Sequence, residues 1–478
     1  MKSFFFFAGL FLIWATGGIA QDQDSDSFAG TWTGVVDYGT IEVPVVFELK
    51  GGPSAYTGEV KFPDSSKFGI PMSSIIVDGR KISLVINKVN SKYEGRITAN
   101  RMRGEWTGEN DGTVDLDLER EEGGFVYERP QNPREPFPYD VEEVEFANQL
   151  QGANHKLAGV LTKPRRPFQP VPAVILISDA GPHDRDATVA HHRPFAVLAD
   201  HLTREGIAVL RFDDRGTGKS SGYFDAASTS DFATDLLVAM DFLKTQKDVD
   251  PTKIGLIGHG EGGVVASMVA SQLKEVNFIV MLAGYGLPGD RMLLAQNEAL
   301  GQAAGLPADI VKTSHQLSLE LFKLLKDQDV DAQKLDELSK AFERRLGKLN
   351  KTNTRDEAGA GDFALRMGKR FENLDSIWLR SFVRLDPAES LKKVKCPVLA
   401  LNGDRDLEVP ADLHLGAIER AIKSGGNEKV MTRKLAGLNH LFQTGESGFP
   451  NRYSAIEETM SPTVLKGISQ WIGGVTAN

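Results

Sequence analysis

Gly258-His259-Gly260-Glu261-Gly262-Gly263 is the segment whose residue types and spacing bear most directly on chemistry. It follows the apolar run Lys253-Ile254-Gly255-Leu256-Ile257 and leads into a helical pattern, so it reads as a sharp strand-to-helix turn. Flanking glycines suit such a turn because strand and helix crowd together there, and the turn exposes its central residue. Here the central residue is Gly260, which fits strained backbone but brings no nucleophile. The same residues satisfy Gly-x-Gly-x-x-Gly, a dinucleotide pattern. Context argues against that use. In a dinucleotide fold the turn follows the first strand and an acid closes the second. In this chain at least two strand–helix units precede the turn, and the next strand ends Met281-Leu282-Ala283-Gly284.

Three other groups have weaker claims. Gly216-Thr217-Gly218-Lys219-Ser220 looks like the end of a phosphate loop, but the first glycine would fall on Asp213. Asp213-Asp214-Arg215 therefore reads as a structural charge cluster. His183 and the pair His191-His192 lack the spacing of a metal site, since adjacent histidines rarely share an ion. No metal and no cofactor are expected. Cys396 is the sole cysteine, so no intramolecular disulfide forms. It lies at the mouth of the apolar run Val398-Leu399-Ala400-Leu401 and reads as a buried structural residue.

The elements that must position the turn alternate strand and helix from 141 to 475. Ala173 to Ile177, Ile207 to Phe212, Lys253 to Ile257, Phe278 to Leu282 and Val398 to Leu401 are continuous apolar runs of parallel-strand type. Ala196 to Arg204 and Phe232 to Lys244 are helical. This order predicts a mostly parallel sheet with helices on both faces. A charged helical stretch at about 291–390, including Leu317 to Lys326 and Lys334 to Leu349, predicts a cap over the C-terminal edge of that sheet. Residues 28–121 instead carry short strand-like runs about ten residues apart, the pattern of a small antiparallel barrel or sandwich. Two phrases there echo each other, Gly30-Thr31-Trp32-Thr33-Gly34 and Gly104-Glu105-Trp106-Thr107-Gly108, and mark candidate strands of barrel closure. A proline-rich linker at 122–140 joins the two regions.

Four blocks in order resemble bacterial α/β-hydrolase carboxylesterases whose turn reads G-H-S-E-G-G. They are Ser178-Asp179-Ala180-Gly181-Pro182-His183-Asp184-Arg185-Asp186, Phe212-Asp213-Asp214-Arg215-Gly216-Thr217-Gly218-Lys219-Ser220, Leu401 to Pro410, and Gly437-Leu438-Asn439-His440-Leu441-Phe442-Gln443. The resemblance implies the α/β-hydrolase fold over 141–475, and the β-rich N-terminal region resembles an extension seen in some members. It implies that Asp406 is the triad acid, His440 the base, and Gly260 the vacated place of the serine. It implies an oxyanion hole from the backbone N–H groups of Glu261 and Ala180. Asp179 stands where the family has glycine, and a carboxylate there would oppose developing negative charge. A serine restored at 260 would be expected to reach the His440 ring.

The function these residues support is that of a catalytically impaired carboxylesterase homologue that binds an ester-like or acyl-like small molecule. One alternative is a working ester hydrolase in which His440 and Asp406 activate water, or in which Ser220, Ser221 or Ser267 substitutes. Another is a binding or scaffold module acting through the N-terminal β domain. The 478 residues carry a formal net charge of -10, which disfavours nucleic acid as a partner. Met1-Lys2-Ser3, the apolar run Phe4 to Ala15, and Gly18-Ile19-Ala20 before a polar stretch read as a signal peptide at 1–20. That predicts an extracytoplasmic protein with no stable membrane span after cleavage. The oligomeric state is not legible.

Overall fold

The computed structural model describes residues 28–327 and 376–477, apart from 38–41, 53–54, 63–69, 99, 109–111 and 122–128, together with isolated positions between 333 and 344. The signal peptide at 1–20, the first part of the linker and most of the helix expected over Lys334 to Leu349 lie outside the described residues. The chain divides into two compact units, up to Val126 and from Tyr127 onward.

The first unit is all antiparallel β. Its strands are β1 (Gly30–Asp37), β2 (Glu42–Gly52), β3 (Ala55–Lys61), β4 (Ile70–Pro71), β5 (Ser74–Asp78), β6 (Lys81–Ile86), β7 (Ser91–Thr98), β8 (Arg101–Thr107) and β9 (Thr113–Glu121). They form one sheet in the order β4-β3-β2-β1-β9-β8-β7-β6-β5, curled into a half-barrel. Alternation along β6, Lys81 out and Ile82 in, sends every second side chain inward. Trp32, Phe47, Tyr93 and Trp106 fill the interior. The two echoing phrases lie on β1 and β8, and both flank β9 in mid-sheet. They do not mark closure, because β4 and β5 are the edges. Short repeats of this kind report that two strands share a local environment, not that they pair.

The second unit begins with a tether. Arg129 donates to the carbonyls of Ser454 and Ile456, and Gln131 bridges Met460 and Thr459, so the proline-rich stretch is pinned to its own unit. Eight strands follow: β10 (Tyr139–Asn148), β11 (His155–Pro164), β12 (Val171–Ile177), β13 (Ala208–Phe212), β14 (Val249–His259), β15 (Phe278–Leu282), β16 (Val398–Gly403) and β17 (Val430–Leu435). Their order is β10-β11-β13-β12-β14-β15-β16-β17, parallel from β13 through β17 and antiparallel at the β10–β11 end. Along β12, Val174 and Leu176 enter one apolar cluster while Ala173, Ile175 and Ile177 enter another. Both faces of the sheet are therefore covered, which is why the strands read as unbroken apolar runs. Helix α1 (Pro194–Arg204) and the C-terminal helix Pro462–Thr476 cover the first face. Helices α2 (Thr229–Lys244), α3 (Glu261–Ala270) and the helix Ala411–Ser424 supply apolar side chains to the second.

The stretch expected as a cap is helical where described. Helices α4 (Gly289–Ala303) and α5 (Ala308–Lys326) pack on one another and place Leu293, Leu300, Leu321 and Phe322 in the first cluster. No described helix is long and apolar enough to cross a membrane.

Asp213, Asp214 and Arg215 form three separate anchors. Asp213 takes Arg185 at 2.7 Å, and Asp214 accepts from the Ser178 hydroxyl and the His183 backbone N–H. Arg215 pairs at 2.7 Å with Asp235, whose other oxygen holds His155 and Asn148. Arg215, Asp235, His155 and Asn148 are all buried, so removing the cation leaves Asp235 undercompensated. Arg215→Ala should therefore cost about 3–5 kcal/mol, measured as a lowered midpoint in urea unfolding.

Candidate active site

The turn between β14 and α3 exists because of its glycines. A Cβ on Gly258 would overlap the Gly262 and Gly263 backbone, so strand and helix can meet there only without a side chain. Gly260 has φ +51° and ψ −115°, outside the regions open to most residues. Its N–H donates to the Leu282 carbonyl at 2.9 Å, which ties the turn to β15. The first free N–H of α3, that of Glu261, then points outward as a partial positive charge.

Three loops at the same end of the sheet bring side chains to this point. Asp406 follows β16, is fully buried, and accepts from the N–H groups of Glu408 and Val409 through Oδ1. Its Oδ2 holds His440 Nδ1 at 2.8 Å. The His440 loop is fixed by Asn439, whose Oδ1 accepts from the backbone of Leu441 and Gln443. His259 donates from Nε2 to the His440 carbonyl at 2.9 Å. Asp179, just past β12, completes the cluster. Its Oδ2 lies 3.0 Å from His440 Nε2, and its Oδ1 accepts from Glu261 N–H at 2.8 Å and from the Tyr285 hydroxyl at 2.7 Å.

The position of this carboxylate decides what the site can do. A Cβ built on Gly260 would fall within covalent-bond range of Asp179 Oδ1, with Oδ2 2.6 Å away. An oxygen of Asp179 thus stands about where a serine hydroxyl at 260 would stand. That oxygen, Oδ1, occupies the Glu261 N–H, while Oδ2 caps the histidine nitrogen that would otherwise take a proton. Burial opposes ionisation of Asp179, but the hydrogen bond and charge of His440, with His259 and Glu261 N–H, hold its carboxyl well below the usual range. Burial likewise opposes a charge on His440, and is outweighed by Asp406, Glu408 and Asp179, which raise its pKa well above the ordinary value. His259 is pushed down to about 4, first by burial and then by the His440 charge.

Gly260, Glu261, Asp406 and His440 converge as placed above, and Ala180 lines the adjoining cavity. That cavity has a volume of about 270 Å³. Asp179, His259, Glu408 and His440 give it a polar wall, and Phe195, Leu282, Phe442 and Met460 an apolar one. Among the described residues its lining comes from segments near 180–195 and 440–460, with His259, Leu282 and Glu408 from the ends of neighbouring strands, and from none of the cap helices. No serine, threonine or cysteine lines it. Ser220 donates to the Asp213 carbonyl, Ser221 accepts from Lys156 N–H, and Ser267 pairs with Ser390, all away from the cavity. His192 is held by Thr459 and the Tyr453 carbonyl, and His183 by the Ala180 carbonyl. Cys396 is half-buried, and burial pushes its thiol up to about 12.

Tyr285 is the site residue that sequence reasoning missed. Its only signal was its place just beyond the end of β15, the sheet end that also carries Gly260. Trp378 is a second. Its indole N–H donates to the Glu261 carboxylate at 2.9 Å.

The fold is that of the α/β-hydrolases. A family model described as Hydrolase_4, serine aminopeptidase S33, matches residues 188–341. Esterase EstD of Thermotoga maritima is 26% identical over 367 residues, covering 76% of this chain and 77% of its own length. The bifunctional esterase/perhydrolase DCH of Acinetobacter calcoaceticus is 26% identical over 261 residues, 52% of this chain and 85% of its own. A solved Pyrococcus furiosus esterase superposes with a TM-score of 0.43 at 17% identity, over 74% of this chain and 98% of that one. The chain thus has the α/β-hydrolase fold and resembles the carboxylesterases of that superfamily.

The expectation that a serine at 260 would reach His440 is corrected by the geometry, since Asp179 fills that space. Gly260→Ser alone should leave p-nitrophenyl acetate hydrolysis at background. Gly260→Ser with Asp179→Gly frees both the hydroxyl position and the Glu261 N–H, and should raise the rate at least about 10-fold over the single variant, a modest share of what one oxyanion donor contributes.

Proposed function

We propose that this α/β-hydrolase does not carry out serine-based acyl transfer, and that its cavity takes a small ester-like or acyl-like ligand. The observation that supports this most is Asp179. One of its oxygens fills the nucleophile's volume and takes the Glu261 N–H, and the other engages His440 Nε2. Acyl transfer needs each of those three places free. Loss of the nucleophile alone costs on the order of 10⁶ in kcat in a serine hydrolase. The esterase names of the two relatives agree with an ester-like or acyl-like ligand, and the apolar wall of Phe195, Leu282, Phe442 and Met460 suits its hydrocarbon part.

Direct activation of water by His440 is disfavoured by the same contact, because Nε2 already faces a carboxylate at 3.0 Å. Substitution by Ser220, Ser221 or Ser267 is disfavoured by their other partners. The signal-peptide pattern of residues 1–20 supports a location outside the cytoplasm.

Fluorophosphonate treatment followed by peptide mass mapping tests the reading. The expected result is no modified serine, and no hydrolysis of short acyl esters that His440→Ala removes. An adduct on any serine, or esterase turnover abolished by His440→Ala, overturns it.

A further inference from the structure

We propose that Asp179, His259 and His440 form a site for one first-row divalent transition-metal ion, seated beside the position vacated by the serine. The inference rests on the reading above only in taking Asp179 as the resident of that position.

Each of the three residues offers a ligand atom within 4.8 Å of the other two. Metal–ligand bonds of about 2.0–2.2 Å at roughly 90–110° put neighbouring ligand atoms about 2.8–3.6 Å apart. Asp179 Oδ2 and His440 Nε2, 3.0 Å apart, already have that spacing, and an ion seated between them would displace the Nε2 proton to solvent. His259 donates from Nε2 to the His440 carbonyl, which leaves Nδ1 of its neutral ring with a lone pair.

The surroundings supply the outer contacts that metal ligands require. Histidine ligands usually donate their second nitrogen to a carboxylate or a carbonyl, which fixes ring and tautomer. His440 does so to Asp406 and His259 to the His440 carbonyl. The other oxygen of Asp179 is held by Glu261 N–H and the Tyr285 hydroxyl, so the carboxylate offers one oxygen in a defined direction.

Charge points the same way. Asp179 and Glu408 line the cavity, Asp406 lies behind His440, and no lysine or arginine is among the described lining residues. Two imidazoles and one carboxylate suit zinc, iron or copper better than magnesium or calcium, which prefer all-oxygen sets. All three residues border the 270 Å³ cavity, so coordination positions remain open to water or ligand.

The test uses untagged, metal-stripped full-length protein. Calorimetric titration with Zn²⁺ should show one equivalent bound per chain, and Co²⁺ should develop visible absorption on binding. Asp179→Asn and His259→Gln should each weaken Zn²⁺ at least about 10-fold, and Asp406→Asn by a similar factor through His440, as outer partners of metal ligands do. Circular dichroism and melting curves establish that each variant is folded. Absence of Zn²⁺ and Co²⁺ binding, or binding unchanged in both Asp179→Asn and His259→Gln, overturns the proposal. The two readings fail separately. Lack of metal binding leaves the absence of serine chemistry standing, and a fluorophosphonate adduct removes that absence whatever the metal result.

Discussion

The Asp179 carboxylate is a buried charge, and burial of a charge is tolerated only when donors surround it. Its donors come from three separate elements: the N-terminus of α3 through Glu261, the end of β15 through Tyr285, and the loop after β17 through His440. Each of these would lose a partner if the carboxylate left. Gly260 is the remaining condition, since any side chain there would overlap Asp179. Gly260 and Asp179 are therefore coupled, because the Asp179 carboxylate fills the space that any side chain at 260 would need.

This arrangement redirects the histidine. In a serine hydrolase the base must accept a proton at Nε2. Here His440 lies between Asp406 at 2.8 Å and Asp179 at 3.0 Å, with one carboxylate at each ring nitrogen. A ring flanked in this way is a donor on both sides. The geometry that orients a base in relatives instead makes His440 a bridge between two acids. The neighbouring His259 is tied to the same loop through the His440 carbonyl.

The scaffold imposes this convergence. The parallel strands β12, β14, β15 and β16 end together, so the loops that leave them meet at one edge. Packing on both faces keeps those strand ends in register, and the buried set of Arg215, Asp235, His155 and Asn148 holds the neighbouring loop. The described helices of the cap stretch reach the site through Trp378, which holds the Glu261 carboxylate, while their apolar residues join the core on one side of the sheet and line none of the cavity.

Much of this was legible in the residues alone. Continuous apolar runs specify parallel strands because both faces are buried, and Gly258 and Gly262 specify a tight turn because backbone there meets backbone. The order of Gly260, Asp406 and His440 and the absence of a nucleophile at the turn needed no coordinates. The unit of residues 28–121 was legible as β from its alternation, but its strand order was not, because pairing partners are far apart in the chain. Tertiary structure alone decided where the Asp179 side chain goes. It lies 82 positions from Glu261 and 261 from His440, so its contacts depend on which strands are neighbours and how their loops turn. The sequence determined that a hydroxyl is missing. Only the packed fold determined that a carboxylate from another loop stands in its place, because steric fit and charge compensation arise between elements.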